Sequence, residues 1–187
     1  MTSKITSLLR LSFTANTLKR IPRVGWGQRG VADVESVAEH SFGVAFLALL
    51  LADAIHEPLD RERLLTLALL HDLAESQLTD LPHSAIRFLG AETKRRAEEE
   101  ALAHVLEGHP RAQEYLALWR EFEDRTTPEG RLIRDADKLE MMIQALVYER
   151  ATGNRELEEF WQNMDEYPWA YPLSREIFER LWQMREE

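Results

Sequence analysis

Residues 67–75 read LALLHDLAE, a stretch in which three ionisable side chains interrupt an otherwise apolar segment. The apolar residues recur at helical spacing, which places His71 and Glu75 on the buried face of a predicted helix. Asp72, the next residue after His71, is rotated about 100° from it around the helix axis. Burying even a neutral polar group without a partner costs about 2–7 kcal/mol. These three side chains therefore indicate a polar site inside the fold.

Two further predicted helices direct the same kinds of side chain toward the interior. On the first, His40 lies on an apolar stripe just after Ser36 and Glu39, which form the pattern of a capping box at the start of a helix. On the second, a long helix, Asp137 shares a stripe with apolar residues. That stripe consists of Ile133, Ala136, Asp137, Ile143 and Val147, with Glu140 and Gln144 on the same side.

A divalent cation would satisfy these buried groups together. His40, His71, Asp72 and Asp137 offer a mixed nitrogen and oxygen shell that suits Mn, Co, Fe, Ni or Zn. Glu75, one helical turn after His71, would lie beside the ion, where a general acid or base acts on the attacking water.

A structural alternative exists for each of these residues. A single buried His is more often a hydrogen-bonded core residue than a ligand, and Asp137 could pair with the nearby Arg134 or Lys138. Agreement between three helices, and the adjacency of His71 and Asp72, favour the metal site.

Composition limits the classes of protein to consider. The 187 residues include no Cys, which excludes disulfides, thiolate metal ligands and a Cys nucleophile. The formal net charge of −10 argues against a nucleic-acid polymer as partner, and the longest apolar run is too short to predict a membrane helix. Residues 1–32, however, contain six basic residues and no acidic residue, so they are the place to look for cations that bind an anionic substrate.

Helical periodicity covers almost the whole chain, and Gly and Pro fall mainly between the periodic segments. We therefore predict an all-α fold: one compact bundle of about eight helices over residues 1–187, with a motif-bearing core at about 8–152 and C-terminal helices at 155–187 that pack on it. The predicted helices lie near 5–18, 36–55, 61–76, 84–89, 92–106, 111–123, 128–152, 156–164 and 174–185, with a loop at 21–35.

The order His40, then His71-Asp72, then Asp137 resembles the H…HD…D motif of the HD-domain metal-dependent phosphohydrolases in sequence order, helical context and spacing. The chain resembles most closely the HD-domain 5′-deoxynucleotidases, from about residue 8 to beyond residue 150. This resemblance rests on LKRIPRVGW at 18–26, Arg29, ESVAEH at 35–40, HDLAE at 71–75, TDLP at 79–82 and AD at 136–137.

The resemblance implies an activity and a cofactor. That family hydrolyses deoxyribonucleoside 5′-monophosphates to deoxynucleoside and phosphate, with a divalent cation, in an all-helical homodimer. It implies one divalent ion per chain (Mn, Co, Mg, Fe, Ni or Zn), with His40, His71, Asp72 and Asp137 as its ligands. It also implies Glu75 as the catalytic residue that handles protons at the attacking water or the leaving oxygen.

The resemblance further implies residues that bind the substrate. Asp80 matches a catalytic-site carboxylate that contacts the sugar and helps to exclude ribonucleotides, and Trp26 matches an aromatic residue of the substrate pocket. Bacterial members place an Arg directly before that Trp, where this chain has Gly25. We therefore expect Arg23 or Arg29 to hold the phosphate. The structural alternatives are that Trp26 fills the edge of the core and that Asp80 is a turn residue.

Two alternative functions remain open at this stage. The first, which the departure at Gly25 permits, is an HD phosphohydrolase that acts on another phosphorylated metabolite. The second is a non-catalytic nucleotide-binding HD scaffold. We expect a cytoplasmic homodimer with no membrane contact. The first 20 residues have the composition of a transit peptide, but from Leu8 onward they resemble the first helix of the family domain.

Overall fold

The computed structural model describes the backbone of residues 2–187 and the side chains from residue 4 onward. In this part of the chain there are eleven α-helices and no β-strand, so the all-α prediction is confirmed and the predicted number of helices was slightly low. The helices are α1 (Thr2–Thr17), α2 (Val24–Gly27), α3 (Val37–Ala54), α4 (Arg61–Leu70), α5 (Glu75–Leu78), α6 (His83–Leu89), α7 (Ala91–Val105), α8 (Ala112–Asp124), α9 (Pro128–Thr152), α10 (Glu158–Asp165) and α11 (Pro172–Glu186).

The long helix α9 forms the centre of the bundle and packs against α3, α4, α8, α10 and α11. It begins where the sequence predicts, because the Thr127 hydroxyl accepts a hydrogen bond from the Gly130 N–H at 3.2 Å and Pro128 occupies the first turn. It ends at Gly153, whose φ of 70° is a left-handed conformation that favours glycine. The side chains of α9 therefore contribute much of the main hydrophobic core.

Helix α3 is fixed at its N-terminus by the predicted capping box. The Ser36 hydroxyl accepts from the Glu39 N–H at 3.2 Å, and the Glu39 carboxylate accepts from the Ser36 N–H at 2.6 Å. Among the described residues, α3 is the one helix long and apolar enough, with a mean hydropathy of 1.5, to meet the length and composition of a membrane span. A buried core helix meets the same criteria, and α3 packs against both α4 and α9.

The helix predicted at 61–76 is interrupted. Helix α4 ends at Leu70, and the backbone then forms bonds between residues three apart, including Glu75 N–H to Asp72 C=O at 3.0 Å. Residues three apart are eclipsed in such a tightened turn, so Asp72 and Glu75 face the same side. The interruption therefore aligns Asp72 and Glu75 more closely than an α-helix, which would leave them about 60° apart.

The exposure of α9 corrects one part of the predicted stripe. Ile143 is 38% exposed and Val147 is 50% exposed, although both were expected on the buried face. They lie on the side of α9 that no other helix covers among the described residues. Asp137 and Glu140, in contrast, are buried as expected.

The segment predicted as a loop at 21–35 contains the short helix α2. Two of its four residues are glycines, so its intrinsic helix propensity is low. The Asp80 carboxylate accepts a hydrogen bond from the Val24 N–H at 2.5 Å, which fixes the first turn of α2 from outside. A tertiary contact with a distant residue thus holds this helix, which is why local sequence did not predict it.

Candidate active site

Four side chains from α3, α9 and the turn after α4 converge at the centre of the bundle. The Nε2 atom of His40 lies 3.3 Å from Oδ1 of Asp137 and 3.6 Å from Oδ2 of Asp72. The Nε2 atom of His71 lies 3.3 Å from the same Asp72 oxygen. The structure therefore brings together all four residues that the sequence selected as metal ligands.

Three of these facing atoms are buried and make no hydrogen bond in the described structure: His40 Nε2, His71 Nε2 and Asp72 Oδ2. They all lie within 4.8 Å of one another. The opposite nitrogen of each imidazole is engaged, because Nδ1–H of His40 donates to Glu140 Oε2 at 2.5 Å and Nδ1–H of His71 donates to the Ala68 C=O at 2.7 Å. In the neutral imidazole these bonds favour the tautomer whose Nε2 lone pair is free, which is the usual support of a metal-binding His. The residues present thus fit a divalent cation.

The structural alternative for Asp137, an ion pair with Arg134 or Lys138, is only partly present. Its Oδ2 accepts from Lys138 Nζ at 2.9 Å, whereas its Oδ1 faces His40. Arg134, the other expected partner, pairs with Glu123 instead. One oxygen of Asp137 therefore remains directed at the cluster.

Both carboxylates of the cluster stay ionised. Burial alone would raise the pKa of Asp72, but the neighbouring His71, His40 and Arg23 outweigh it and hold that pKa well below its ordinary value. Burial likewise opposes ionisation of Asp137, and Lys138 and His40 lower its pKa well below 3.8. The cluster therefore presents two negative charges to a cation.

The His40 imidazole holds a proton when no metal is bound. Burial and the nearby Arg23 would lower its pKa, but the carboxylates of Asp137 and Glu140 outweigh both and raise the pKa of His40 to about 9. A metal ligand must be neutral imidazole, so binding of a cation has to displace this proton.

Arg23 is a second cation beside the cluster, in addition to Lys138. Its Nη1 atom lies 3.5 Å from Asp72 Oδ2, and 15% of its side chain is exposed. Burial would lower the pKa of Arg23, but Asp72, Asp137 and Asp80 outweigh burial and raise it, so the guanidinium stays charged.

Glu75 lies next to the cluster in a strongly perturbed state. Its Oε2 atom is buried without a hydrogen-bond partner in the described structure. Burial, followed by the charges of Asp72 and Asp80, raises the pKa of Glu75 to about 10. At neutral pH this carboxyl group therefore carries a proton beside the metal cluster.

A cavity of about 240 Å³ opens over these groups. Arg23, Asp72, Glu75 and Asp80 all contribute to its wall. A group that the sequence did not select also lines it: Lys94, Glu98, Glu123, Arg134 and Lys138. The cavity is thus strongly charged, with cations interleaved among its carboxylates.

Lys94 and Glu98 form an ion pair at a spacing of four residues, a pattern typical of a solvated helix face, although Glu98 is buried. Glu98 is buried on the same side of α7 as Ala101, Leu102 and Val105. This spacing of three, four and seven residues was the available signal that Glu98 faces inward. The opposite charges of the run at 94–100 concealed it.

The remaining predicted substrate residues lie at different depths. Asp80 lines the cavity while it holds α2 through the Val24 N–H. Trp26 is only 1% exposed: its Nε1–H donates to Glu35 at 2.9 Å, and its ring stacks on Phe160 with centroids 4.5 Å apart. Arg29 is not among the residues of this cavity and forms an ion pair with Glu159.

Comparison with known proteins extends these observations. A family model for the HD domain matches residues 15–168, a range that includes the four clustered side chains and Glu75. The chain is 36% identical over 158 residues to the 5′-deoxynucleotidase HDDC2 of Danio rerio, covering 83% of this chain and 76% of that protein. It is 35% identical over 151 residues to the 5′-deoxynucleotidase hdd1 of Schizosaccharomyces pombe, covering 76% and 73%.

A solved structure shares the whole architecture. A conserved hypothetical protein from Pyrococcus furiosus superposes with a TM-score of 0.80 at 41% sequence identity, covering 96% of this chain and 99% of that one. The likeness therefore extends beyond the motif-bearing helices to the C-terminal helices α10 and α11.

Proposed function

Since the chain belongs to the HD-domain family of metal-dependent phosphohydrolases and to its 5′-deoxynucleotidase group, we propose that it hydrolyses deoxyribonucleoside 5′-monophosphates to deoxynucleoside and phosphate. The observation that carries this proposal is the convergence of three buried atoms without hydrogen-bond partners, each able to bind a metal ion. They belong to His40, His71 and Asp72 and lie beside the charged Arg23. A phosphate monoester needs both a cation and a proton donor at its reacting end, and this cavity holds groups for each.

The proposed ligands of one divalent cation are His40, His71, Asp72 and Asp137. The favoured tautomers of both imidazoles and the ionised state of both carboxylates support this assignment. When bound, such an ion would act as a Lewis acid at the phosphoryl group and lower the pKa of a water molecule. The mixed nitrogen and oxygen shell admits Mn, Co, Mg, Fe, Ni or Zn.

Arg23 binds the phosphate in this proposal. Its planar guanidinium can donate two parallel hydrogen bonds to phosphate oxygens, and burial among carboxylates keeps it charged and oriented. Arg29 was the other sequence candidate, but its pairing with Glu159 and its place outside the metal cavity favour Arg23.

Glu75 transfers the proton in this proposal. A water molecule attacks phosphorus in line with the bond to the 5′ oxygen, and that bond breaks as Glu75 gives its proton to the departing oxygen. Glu75 then regains a proton from the attacking water, so the carboxyl group returns to its starting state. Burial, the largest cause of its raised pKa in the metal-free protein, supports this role, because only a protonated carboxyl group can act first as an acid.

Asp80 contacts the sugar in this proposal, and Trp26 supports the pocket from behind. The carboxylate of Asp80 lines the metal cavity but is tied to the Val24 N–H, so it has a fixed position against which a 2′-hydroxyl group would be excluded. Trp26 is too deeply buried to offer more than an edge to a ligand.

We also propose that the protein is a homodimer. On α3 the aromatic rings of Phe42 and Phe46 and the side chain of Leu50 are at least half exposed, and the neighbouring helix α9 exposes Ile143 and Val147. Phe42 stacks on Phe46, and α3 and α9 pack together, so these exposed apolar side chains support an interface on this side of the bundle. Light scattering should give twice the chain mass, and Phe42→Glu together with Phe46→Glu should reduce it to the chain mass.

A phosphate-release assay tests the activity. The purified protein, stripped of metal and then supplied with Mn, Co or Mg, should release phosphate from deoxyribonucleoside 5′-monophosphates faster than from ribonucleotides. Asp137→Asn should abolish release, and the Phe88→Ala variant, on an exposed part of α6, should retain it. Release only from other phosphate esters would establish the alternative enzyme. No release with any metal would overturn the proposal in favour of a nucleotide-binding scaffold.

A further inference from the structure

A second cavity of about 480 Å³ adjoins the metal cavity. The two share the wall formed by Gly25, Pro82, His83, Lys138, Met141 and Phe160. A ligand whose phosphate lies by the metal cluster therefore has one continuous direction in which to extend. The size falls within the range of about 300–1,000 Å³ that is typical of small-molecule sites.

The lining of the second cavity differs from that of the first. Met141, Phe160, Met164 and Tyr167 give it an apolar wall, and Gln28 and Asn163 add amide groups. Its charged members are Lys138 and the ion pair of Arg29 with Glu159. An apolar wall with a few polar groups suits a flat heterocycle that has hydrogen-bonding edges. The metal cavity, lined by carboxylates and basic groups, suits the phosphate end of the same molecule.

The Phe160 ring lies at the boundary between the two cavities and is held firmly there. One of its faces stacks on Trp26, with the ring planes inclined by 27°. A Cβ atom added to Gly25 would lie 3.4 Å from Phe160 Cζ, so a longer side chain at residue 25 would meet the ring. Trp26 itself is buried and does not line the second cavity, whereas Phe160 and Tyr167 do, and of these two rings only Phe160 also lines the metal cavity.

We propose that the second cavity receives the nucleobase of the substrate and that Phe160 determines specificity by packing against that base. This inference rests on the proposed hydrolysis of nucleoside monophosphates. Packing of an aromatic ring on a base is favourable for all four bases, since each has a π face, so this residue gives affinity for nucleotides as a class. The amides of Gln28 and Asn163 are then placed at the edge of the base, where differences between bases are recognised.

Gly25 lies against the same ring. A Cβ atom at residue 25 would be in ordinary contact with Phe160, so a larger side chain there would need room beside the ring. Arg23, two residues earlier, lies against Asp72 in the metal cavity and supplies the cation. Gly25 and Phe160 both lie at the boundary between the phosphate end and the base end of the site.

The test compares substrates with and without a base. Phe160→Leu keeps an apolar side chain against Trp26 but removes the ring. We expect it to raise the KM for deoxyribonucleoside 5′-monophosphates at least tenfold, and to change kcat/KM for 2-deoxyribose 5-phosphate less than twofold. Phe160→Tyr should restore the KM, and Phe88→Ala should match the parent protein on both substrates.

The outcomes separate this inference from the proposed function. An equal loss on both substrates, or no change on either, would overturn the role of Phe160. If the parent protein released no phosphate, the proposed function would fail, and calorimetric binding would decide the inference instead. Phe160→Leu should then weaken binding of deoxyadenosine 5′-monophosphate at least tenfold and leave binding of 2-deoxyribose 5-phosphate unchanged; equal effects on the two ligands would contradict it.

Discussion

Gly43 on α3 leaves the space that the carboxylate of Glu140 on α9 occupies. A Cβ atom added at Gly43 would lie 2.6 Å from Oε1 and 2.8 Å from Cγ of Glu140, closer than side-chain atoms normally approach. Glu140 in turn accepts the Nδ1–H of His40. A missing side chain one turn after His40 thus allows the hydrogen bond that orients this imidazole.

We expect Gly43→Ala to weaken metal binding without unfolding the protein. The added methyl group would push Glu140 away and leave Nδ1 of His40 without its partner. Loss of such a supporting bond typically lowers metal affinity about 10–100-fold. Isothermal titration of the metal-free protein with Mn²⁺ measures this loss directly.

Gly27→Ala is the matched control for that experiment. A Cβ atom at Gly27 would have only Val34 Cγ2 nearby, at 3.9 Å, which is an ordinary contact. This variant should bind Mn²⁺ like the parent protein. If Gly43→Ala also bound Mn²⁺ with unchanged affinity, the orienting role of Glu140 would be wrong.

Substitution of the two candidate arginines should affect catalysis unequally. Arg23→Gln removes the charged fork beside Asp72, and we expect kcat/KM to fall at least a hundredfold, about 2.7 kcal/mol of transition-state stabilisation. Arg29→Gln removes an exposed pairing with Glu159 and should lower kcat/KM less than fivefold. Steady-state kinetics on one deoxynucleotide compares them, and a larger loss in Arg29→Gln would reverse the assignment.

Metal binding should release a proton from His40. In the metal-free protein the pKa of His40 is raised to about 9, so the imidazole is charged at pH 7.5 and must become neutral to bind a cation. Titration calorimetry in buffers of different ionisation enthalpy should show about one proton released per ion, and affinity should rise with pH up to about pH 9. An enthalpy independent of the buffer would contradict this.

The sequence predicted the metal cluster because its members carry their own signals. His40, His71 and Asp137 interrupt apolar stripes at helical spacing, and such positions are buried in any compact fold. The capping box at Ser36 and the N-cap at Thr127 fixed where two of the three helices begin. Local patterns were sufficient wherever the structure depends on local bonds.

The wall of the substrate cavities could not be predicted in this way. Phe160 reaches the site only because α10 returns to α2 after more than a hundred residues, and nothing in the local pattern near 160 indicates this. Lys94 and Glu98 resembled a solvated pair because opposite charges at a spacing of four are common on helix surfaces. Ile143 and Val147 followed the apolar stripe of α9, but their exposure depends on which helices cover it.

The protonated state of Glu75 should make the metal-free protein less stable as pH rises. The pKa of this carboxyl group is about 10 in the folded chain and about 4.5 in an ordinary environment. Between these values the folded state holds a proton that the unfolded state has released, so the contribution is full below about pH 4.5 and is lost as pH rises toward 10. Asp72 and Asp80 favour the protonated form, whereas Arg23 and Lys94 oppose it.

Glu75→Gln tests this expectation because the amide is neutral at every pH. Each pH unit in that interval removes up to about 1.4 kcal/mol from the parent protein, equivalent to about 3–6 °C in Tm for a chain of this size. In the presence of a chelator, the Tm of Glu75→Gln should match that of the parent near pH 4.5 and exceed it by at least about 3 °C at pH 8.5. Glu98→Gln serves as the control, since burial also raises the pKa of Glu98 but the charge of Lys94 partly offsets that rise. The Tm difference between Glu98→Gln and the parent protein at pH 8.5 should therefore be smaller. Parallel Tm curves for Glu75→Gln and the parent would show that Glu75 is ionised in the folded protein, and its role as the first proton donor would then be wrong.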